Sequence, residues 1–381
     1  MSGELKQQPE DRLFYRRTTD GLRTNTSLAN FFAGPTTTAC WIIGGGPSLL
    51  SLPIEQIAAT PVPKFAVNLA GTHLLRPTFW TSYDPTARFH RSVYLDASIT
   101  KFVHSGRAMD LVPGTTFKVC DCPGLLFFDR DRDAGFSSFP GCGSGIVDWQ
   151  DSLIQAIDIA YRLGFRELYL AGCDMQVLPS EEWLRVAAKC GVQRDRHELL
   201  GDFARRCEQA GMPRKRIESL STGRQYHFEE TKPLRSAINT DFHYFRVAQY
   251  LRLSRRSLAQ SGLQLISVTP ESRLNDDFQF RDAAEACREL LRRVGDPRAE
   301  TTRGRYTNTT TPATGPRGPM RDFRPHFWTR PSNTKPQNSR PPKQPVNPPA
   351  ESRSPEEIKQ ERRRRIVQAI PEIAVNAIEE G

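Results

Sequence analysis

The stretch CWIIGGGPSLL, residues 40 to 50, sets three glycines directly after a short apolar run. Glycine lets the backbone approach a ligand closely, and the N–H groups that open the next helical turn favour an anion. Gly44, Gly45, Gly46, Pro47 and Ser48 can therefore cradle a phosphate. The spacing matches neither common phosphate loop. Leu49 stands where G-x-G-x-x-G needs its third glycine, and no Gly-Lys-Ser/Thr follows. A tight turn with no ligand is the plainer alternative. Three more positions carry chemistry. Asn68 ends the second apolar run, where its amide can reach the same crevice. Ser144, in GCGSG, precedes a helical pattern, where a serine either caps the helix or binds phosphate. Asp174, in AGCDM, ends another apolar run, where a carboxylate can orient a ribose hydroxyl, hold Mg²⁺ or simply cap a loop. The segment FWTSYDPTARFH adds Asp84 and Arg88, which can meet an anionic substrate or form a polar Asp-Pro turn.

These positions sit at the ends of predicted elements. Residues 38–44, 64–71, 78–84, 99–105, 115–121, 166–175 and 263–272 read as strands. Residues 144–165 read as a helix, with Ile146, Trp149, Leu153, Ala156, Ile157 and Ala160 at helical spacing. Residues 241–262 and 281–295 read as further helices. Nearly all-apolar strands alternating with helices predict an α/β fold: a Rossmann-like, mostly parallel sheet with helices on both faces. Ligands of such sheets bind beyond the carboxyl ends of the strands. The expected domain spans 36–297, after an N-terminal extension over 1–35. Within it, 178–240 reads as a small helical lid insertion, because SEEWLRVAAKCG and DRHELLGDFARRCEQAGM are charged and amphipathic with no strand between.

Composition narrows the function classes. The chain has 381 residues, a formal net charge of +10, 29 prolines and 8 cysteines. Residues 298–355 are rich in Pro, Thr, Asn and Arg without apolar period, and read as a disordered linker. Residues 356–381 read as a charged C-terminal helix. Residues 300–381 hold 15 basic and 9 acidic residues, so this stretch carries +6 of the total charge. Nucleic acid is therefore not the expected partner; the tail is the candidate for binding a protein. The cysteines lack zinc-type spacing and form no disulfide framework. The polar opening MSGELKQQPEDRLF reads as no secretion signal, and no apolar run is long enough to span a membrane. A cytoplasmic location with reduced thiols is the expectation.

The blocks IIGGGPSL, VNLAG, GSGIVDWQDSLIQAIDIAYRLGFRELYLAGCDM, NTDFHYFRVAQYL and LQLISVTPESRLN, taken in order, resemble two related groups. One is the bacterial sialyltransferases of glycosyltransferase family 42. The other is the family named after an archaeal 6-hydroxymethylpterin diphosphokinase. The resemblance covers roughly residues 38 to 290. It implies a Rossmann-like core and a nucleotide substrate. Under it, Gly44, Gly46, Pro47 and Ser48 are similar to the nucleotide-phosphate loop. Asn68, Ser144 and Gly145 match nucleotide-binding positions, Asp174 matches the aspartate of the G-x-D strand end, and His243 falls near the family's general base. His227 and His104 are weaker rivals for that role. Gly45 replaces an asparagine of the sialyltransferases, and Met175, Gln176 and Val177 stand where those enzymes carry tyrosines.

Three functional expectations follow. The first is a nucleotide-dependent transferase, of glycosyl-transfer type, using a nucleotide-sugar donor and a small-molecule or glycan acceptor. No tightly bound cofactor is expected for it. The second is ATP-dependent pyrophosphoryl transfer, for which Asp84 or Asp174 would hold Mg²⁺. The third is a non-catalytic nucleotide-binding scaffold that works through its tail.

Overall fold

The computed structural model describes residues 13–26, 37–71, 74–133, 135–141, 143–221 and 232–294. All fall within Met1–Trp328; a second unit, Thr329–Gly381, lies outside them, as do the expected linker, the C-terminal helix and His227.

Short, fully buried apolar runs build the sheet. β1 (Tyr15–Arg17) and β2 (Arg23–Asn25) form an N-terminal hairpin, followed by β3 (Ala39–Ile43), β4 (Lys64–Val67), β5 (Phe79–Thr81), β6 (Thr100–His104) and β7 (Leu125–Phe128). β8 (Arg130–Asp131) and β9 (Ile146–Val147) pair in a small separate sheet. β10 (Glu167–Ala171), β11 (Gln264–Ser267) and β12 (Gln279–Phe280) complete the main one. Its order is β12-β11-β10-β3-β4-β5-β6-β7-β1-β2. From β12 to β7 every neighbour is parallel; only the β1–β2 hairpin is antiparallel. Burial of every residue of β3, β4, β5 and β7 explains their near-continuous apolar sequence.

Helices are α1 (Ile54–Ala59), α2 (Arg91–Leu95), α3 (Ser152–Arg162), α4 (Glu181–Lys189), α5 (Leu200–Gln209), α6 (Arg214–Leu220), α7 (Leu234–Leu253), α8 (Arg255–Gln260) and α9 (Ala283–Val294). α4, α5 and α6 close a core of their own around Trp183, Phe203 and Ile217. No helix among the described residues is long and apolar enough to cross a membrane.

The fold departs from expectation in four places. Residues 115–121 form no strand. Lys118 and Asp121 close a local turn, the Lys118 N–H donating to Asp121 Oδ2 at 3.1 Å, and the strand is the next apolar run, LLFF. α3 starts at Ser152, not near 144, because Asp151 caps it: Oδ1 accepts from the N–H groups of Leu153 (2.8 Å) and Ile154 (3.0 Å). The N-terminal extension supplies the β1–β2 hairpin, whose Asp20-Gly21 turn has Gly21 at φ +91°. The helix expected over 241–262 is two helices, and the first begins at Leu234.

The chain runs from β3 outward to β7, then returns to β10 on the other side of β3. The order in which strands are added therefore reverses between the parallel neighbours β3 and β10, and the turns leaving these two strands abut. Gly44 N–H donates to Ala171 O (2.7 Å) and Gly46 N–H to Gly172 O (2.8 Å). A Cβ at Gly44 would lie 2.5 Å from Gly172 O, and one at Gly172 would lie 2.6 Å from Gly44 O. Gly44→Ala is expected to destabilise the protein by about 1–3 kcal/mol through overpacking. Urea denaturation checks this; an unchanged midpoint would mean the turns separate freely.

Candidate functional site

A cavity of about 330 Å³ opens at this reversal point. Gly44, Gly45, Gly46, Asn68, Asp84, Arg88, Asp174 and His243 all line it. The sheet gathers them because each follows a strand end, except His243, which comes from α7. Pro47 and Ser48 do not line it. Ser144 and Gly145 lie elsewhere: Ser144 is exposed, and Gly145 is buried where a Cβ would meet Asp129 O at 2.6 Å. They precede β9 rather than a helix. His104 ends β6 outside the cavity, accepting the Gly106 N–H at Nδ1 (3.3 Å).

The glycine turn is largely satisfied from within. Two of its three N–H groups are used by the last residue of β10 and the turn after it, and only Gly45 has no acceptor among the described residues. Ser48 turns inward, and its Oγ donates to Asp174 Oδ2 at 2.8 Å. The carboxylate expected beside a phosphate thus occupies the anion-binding end of this turn itself. Asp174 is 7% exposed, and burial, opposed by the Ser48 hydrogen bonds, pushes its carboxyl up to about 6.

Asn68 is fixed more firmly than its sequence suggests. Ser82 Oγ accepts the Asp84 N–H (3.0 Å) and donates to Asn68 Oδ1 (2.6 Å). Ser152 Oγ accepts the Tyr83 N–H (2.9 Å) and donates to the same oxygen (2.8 Å). With Oδ1 doubly occupied, the amide NH₂ is left to whatever enters the cavity.

His243 lies in the third turn of α7, not at a helix start. Its Nε2 is 3.0 Å from Asp151 Oδ2, the carboxylate whose other oxygen caps α3. A carboxylate acceptor keeps the proton on Nε2 and leaves Nδ1 as the basic nitrogen. Asp84 pairs with Arg88 across one turn, and Lys232 Nζ donates to Thr240 Oγ1 at 3.1 Å. Among the described residues no group of three or more His, Cys, Asp or Glu side chains is placed to hold a metal ion.

Asn68 (φ 56°), Gln150 (φ 57°) and Met175 (φ 50°) are the non-glycine residues with left-handed backbone among those described, and all three line this cavity. Such conformations cost about 1–3 kcal/mol each and concentrate at functional sites. Sequence reading missed Asp151, Ser152 and Lys232. The string WQDSLI held the signal for the first two, since an aspartate just before an apolar period is a helix cap. Comparison with protein-family models, curated proteins and solved structures gave no match to this chain.

The raised Asp174 carboxyl has a measurable consequence. Its folded value of about 6 exceeds the unfolded value of 3.8, so the folded state holds the proton more tightly. The stabilisation is complete below the unfolded value and is lost as pH rises through the folded one. Asp174→Asn removes that loss: its stability relative to the parent is expected to climb between pH ~4 and ~7, by roughly 1–3 kcal/mol. Urea midpoints across that range test it; a difference that does not change with pH would place the titration elsewhere.

Proposed function

We propose that this chain is a nucleotide-dependent transferase of the glycosyl-transfer type, with the cavity at the β3–β10 reversal as its donor site. The observation that carries the reading is the His243–Asp151 pair in the wall of the cavity that also presents the fixed Asn68 amide. Glycosyl transfer needs a base for the incoming hydroxyl and donors for the departing phosphate. His243 Nδ1 takes the acceptor proton as the acceptor oxygen bonds to the sugar carbon. Asp151 stabilises the imidazolium that forms. The bond from sugar carbon to phosphate oxygen breaks, and its electron pair leaves with the nucleotide. Asn68 Nδ2, the Gly45 N–H and the Lys232 ammonium are the groups that would receive this charge. Asp174 orients a donor hydroxyl.

Pyrophosphoryl transfer from ATP is the second reading, and the cavity suits it less well. It would recruit Asp84 and Asp174 for Mg²⁺. Asp84 is paired with Arg88, and Asp174 is buried against Ser48. With one carboxylate held by Arg88 and the other by Ser48, the pair does not fit a Mg²⁺ ion.

A thermal-shift screen of the full chain against CMP, UDP, GDP, ADP and ATP, with and without Mg²⁺, separates the readings. A ligand at 100 times its Kd stabilises the folded state by about 2.7 kcal/mol. The expected result is a shift with a nucleotide that needs no Mg²⁺ and disappears in Asn68→Ala. A shift with ATP only in Mg²⁺ moves the assignment to the second reading, and no shift with any nucleotide ends both. Once a donor is identified, Asp151→Asn is expected to keep the helix cap but lower turnover by about 10²-fold or more. Equal turnover in that variant would remove His243 from the base role.

A further inference from the structure

The carboxyl ends of β5, β6 and β7 carry an arginine cluster that the donor site does not use. Tyr83 joins the two regions. It lines the cavity, and the Arg130 guanidinium lies 3.7 Å from the centre of its ring. Tyr83 Oη donates to Asp148 Oδ1 at 3.0 Å, and the same carboxylate faces Arg130 at 4.0 Å and Arg132 at 3.4 Å. Arg130 is 13% exposed; its Nε is buried with no hydrogen-bond partner among the described residues, and its Nη2 reaches Gln155 Oε1 only at 3.4 Å. Burial first, then the charges of Arg107 and Arg132, pull the Arg130 guanidinium below the usual arginine range. Arg107 itself is partly offset by Asp110 at 3.7 Å, whose Oδ2 is shared with Thr86 Oγ1. Arg130 and Arg132 thus share the Asp148 carboxylate, which Arg130 faces through its buried Nε, and Arg107 faces Asp110.

Guanidinium forks match carboxylate and phosphate oxygens in pairs. Arg132, which shares the Asp148 carboxylate with Arg130 and reaches solvent, can turn such a fork toward an incoming anion. We propose that Arg107, Arg130 and Arg132 form a second subsite, beside Tyr83, for an anionic group on the acceptor. The acceptor is then a carboxylate- or phosphate-bearing molecule rather than a neutral glycan. Only the word acceptor rests on the transferase reading; the anion subsite rests on the cluster itself.

The test is calorimetric titration of the full chain at low ionic strength, with inorganic pyrophosphate and malonate as separate probes for phosphate and carboxylate. Arg107 and Arg132 reach solvent, so Arg107→Gln with Arg132→Gln is expected to fold normally and to weaken binding of the preferred probe about tenfold or more. Arg205→Gln with Arg216→Gln removes the same charge from the exposed surface of α5 and α6 and is expected to leave the Kd unchanged. Asn68→Ala is also expected to leave probe binding unchanged. The proposal is overturned if neither probe binds the parent, if the control pair weakens binding as much as the cluster pair, or if Asn68→Ala abolishes binding and so places the anion in the cavity. Thermal shift with nucleotide is read in parallel. If the probe result holds while no nucleotide binds, the transferase reading falls and the anion subsite stands. If nucleotide binds while the cluster pair leaves probe affinity intact, the reverse is true.

Discussion

Everything in this molecule is arranged around one close approach, where the backbone leaving β3 touches the backbone leaving β10. Gly44 and Gly172 meet carbonyl to α-carbon, and neither position has room for a methyl group. The contact brings two strand ends together that are 128 residues apart in sequence. It also decides what the glycine turn can do. Gly44 and Gly46 commit their N–H groups to the chain leaving β10, so within the turn the Gly45 N–H remains for a ligand, and the side-chain donor comes from the next strand, through Asn68. A loop that reads as a phosphate cradle is first a packing device.

Asp151 carries a second dependency. One carboxylate caps the backbone of α3 and orients the imidazole of His243, so the start of a helix and the placement of the proposed base are the same event. Ser152, the next residue, ties the same helix start to Asn68. Base and amide are therefore referred to one fixed point, which is how a site on loops gains the rigidity of a site on regular elements.

The α/β class, most strands and the strand-end positions of Gly44, Asn68, Asp84 and Asp174 were legible because buried parallel strands are continuously apolar and end abruptly in small or polar residues. Two kinds of feature were not. Leu125, Leu126, Phe127 and Phe128 follow a β-branched and aromatic string that looks equally strand-like, and an apolar run does not say which stretch finds a partner strand. Ser144 and Asp151 both precede the same apolar period, and only the cap hydrogen bonds distinguish them. The inward turn of Ser48 and the double grip on Asn68 depend on residues far apart in sequence, which no local pattern encodes.

α7 belongs to two cores at once. Leu234 and Ala237 near its start are buried with α4, α5 and α6, while Val247, Ala248 and Leu251 near its end are buried against the sheet. Tyr244 packs against both, one residue from His243. The helix works as a shared spar that passes through both cores, with His243 between the two buried stretches. Loosening of either core would free one end of the helix that carries His243, so hydrogen exchange along α7 is a common gauge of how firmly both halves hold.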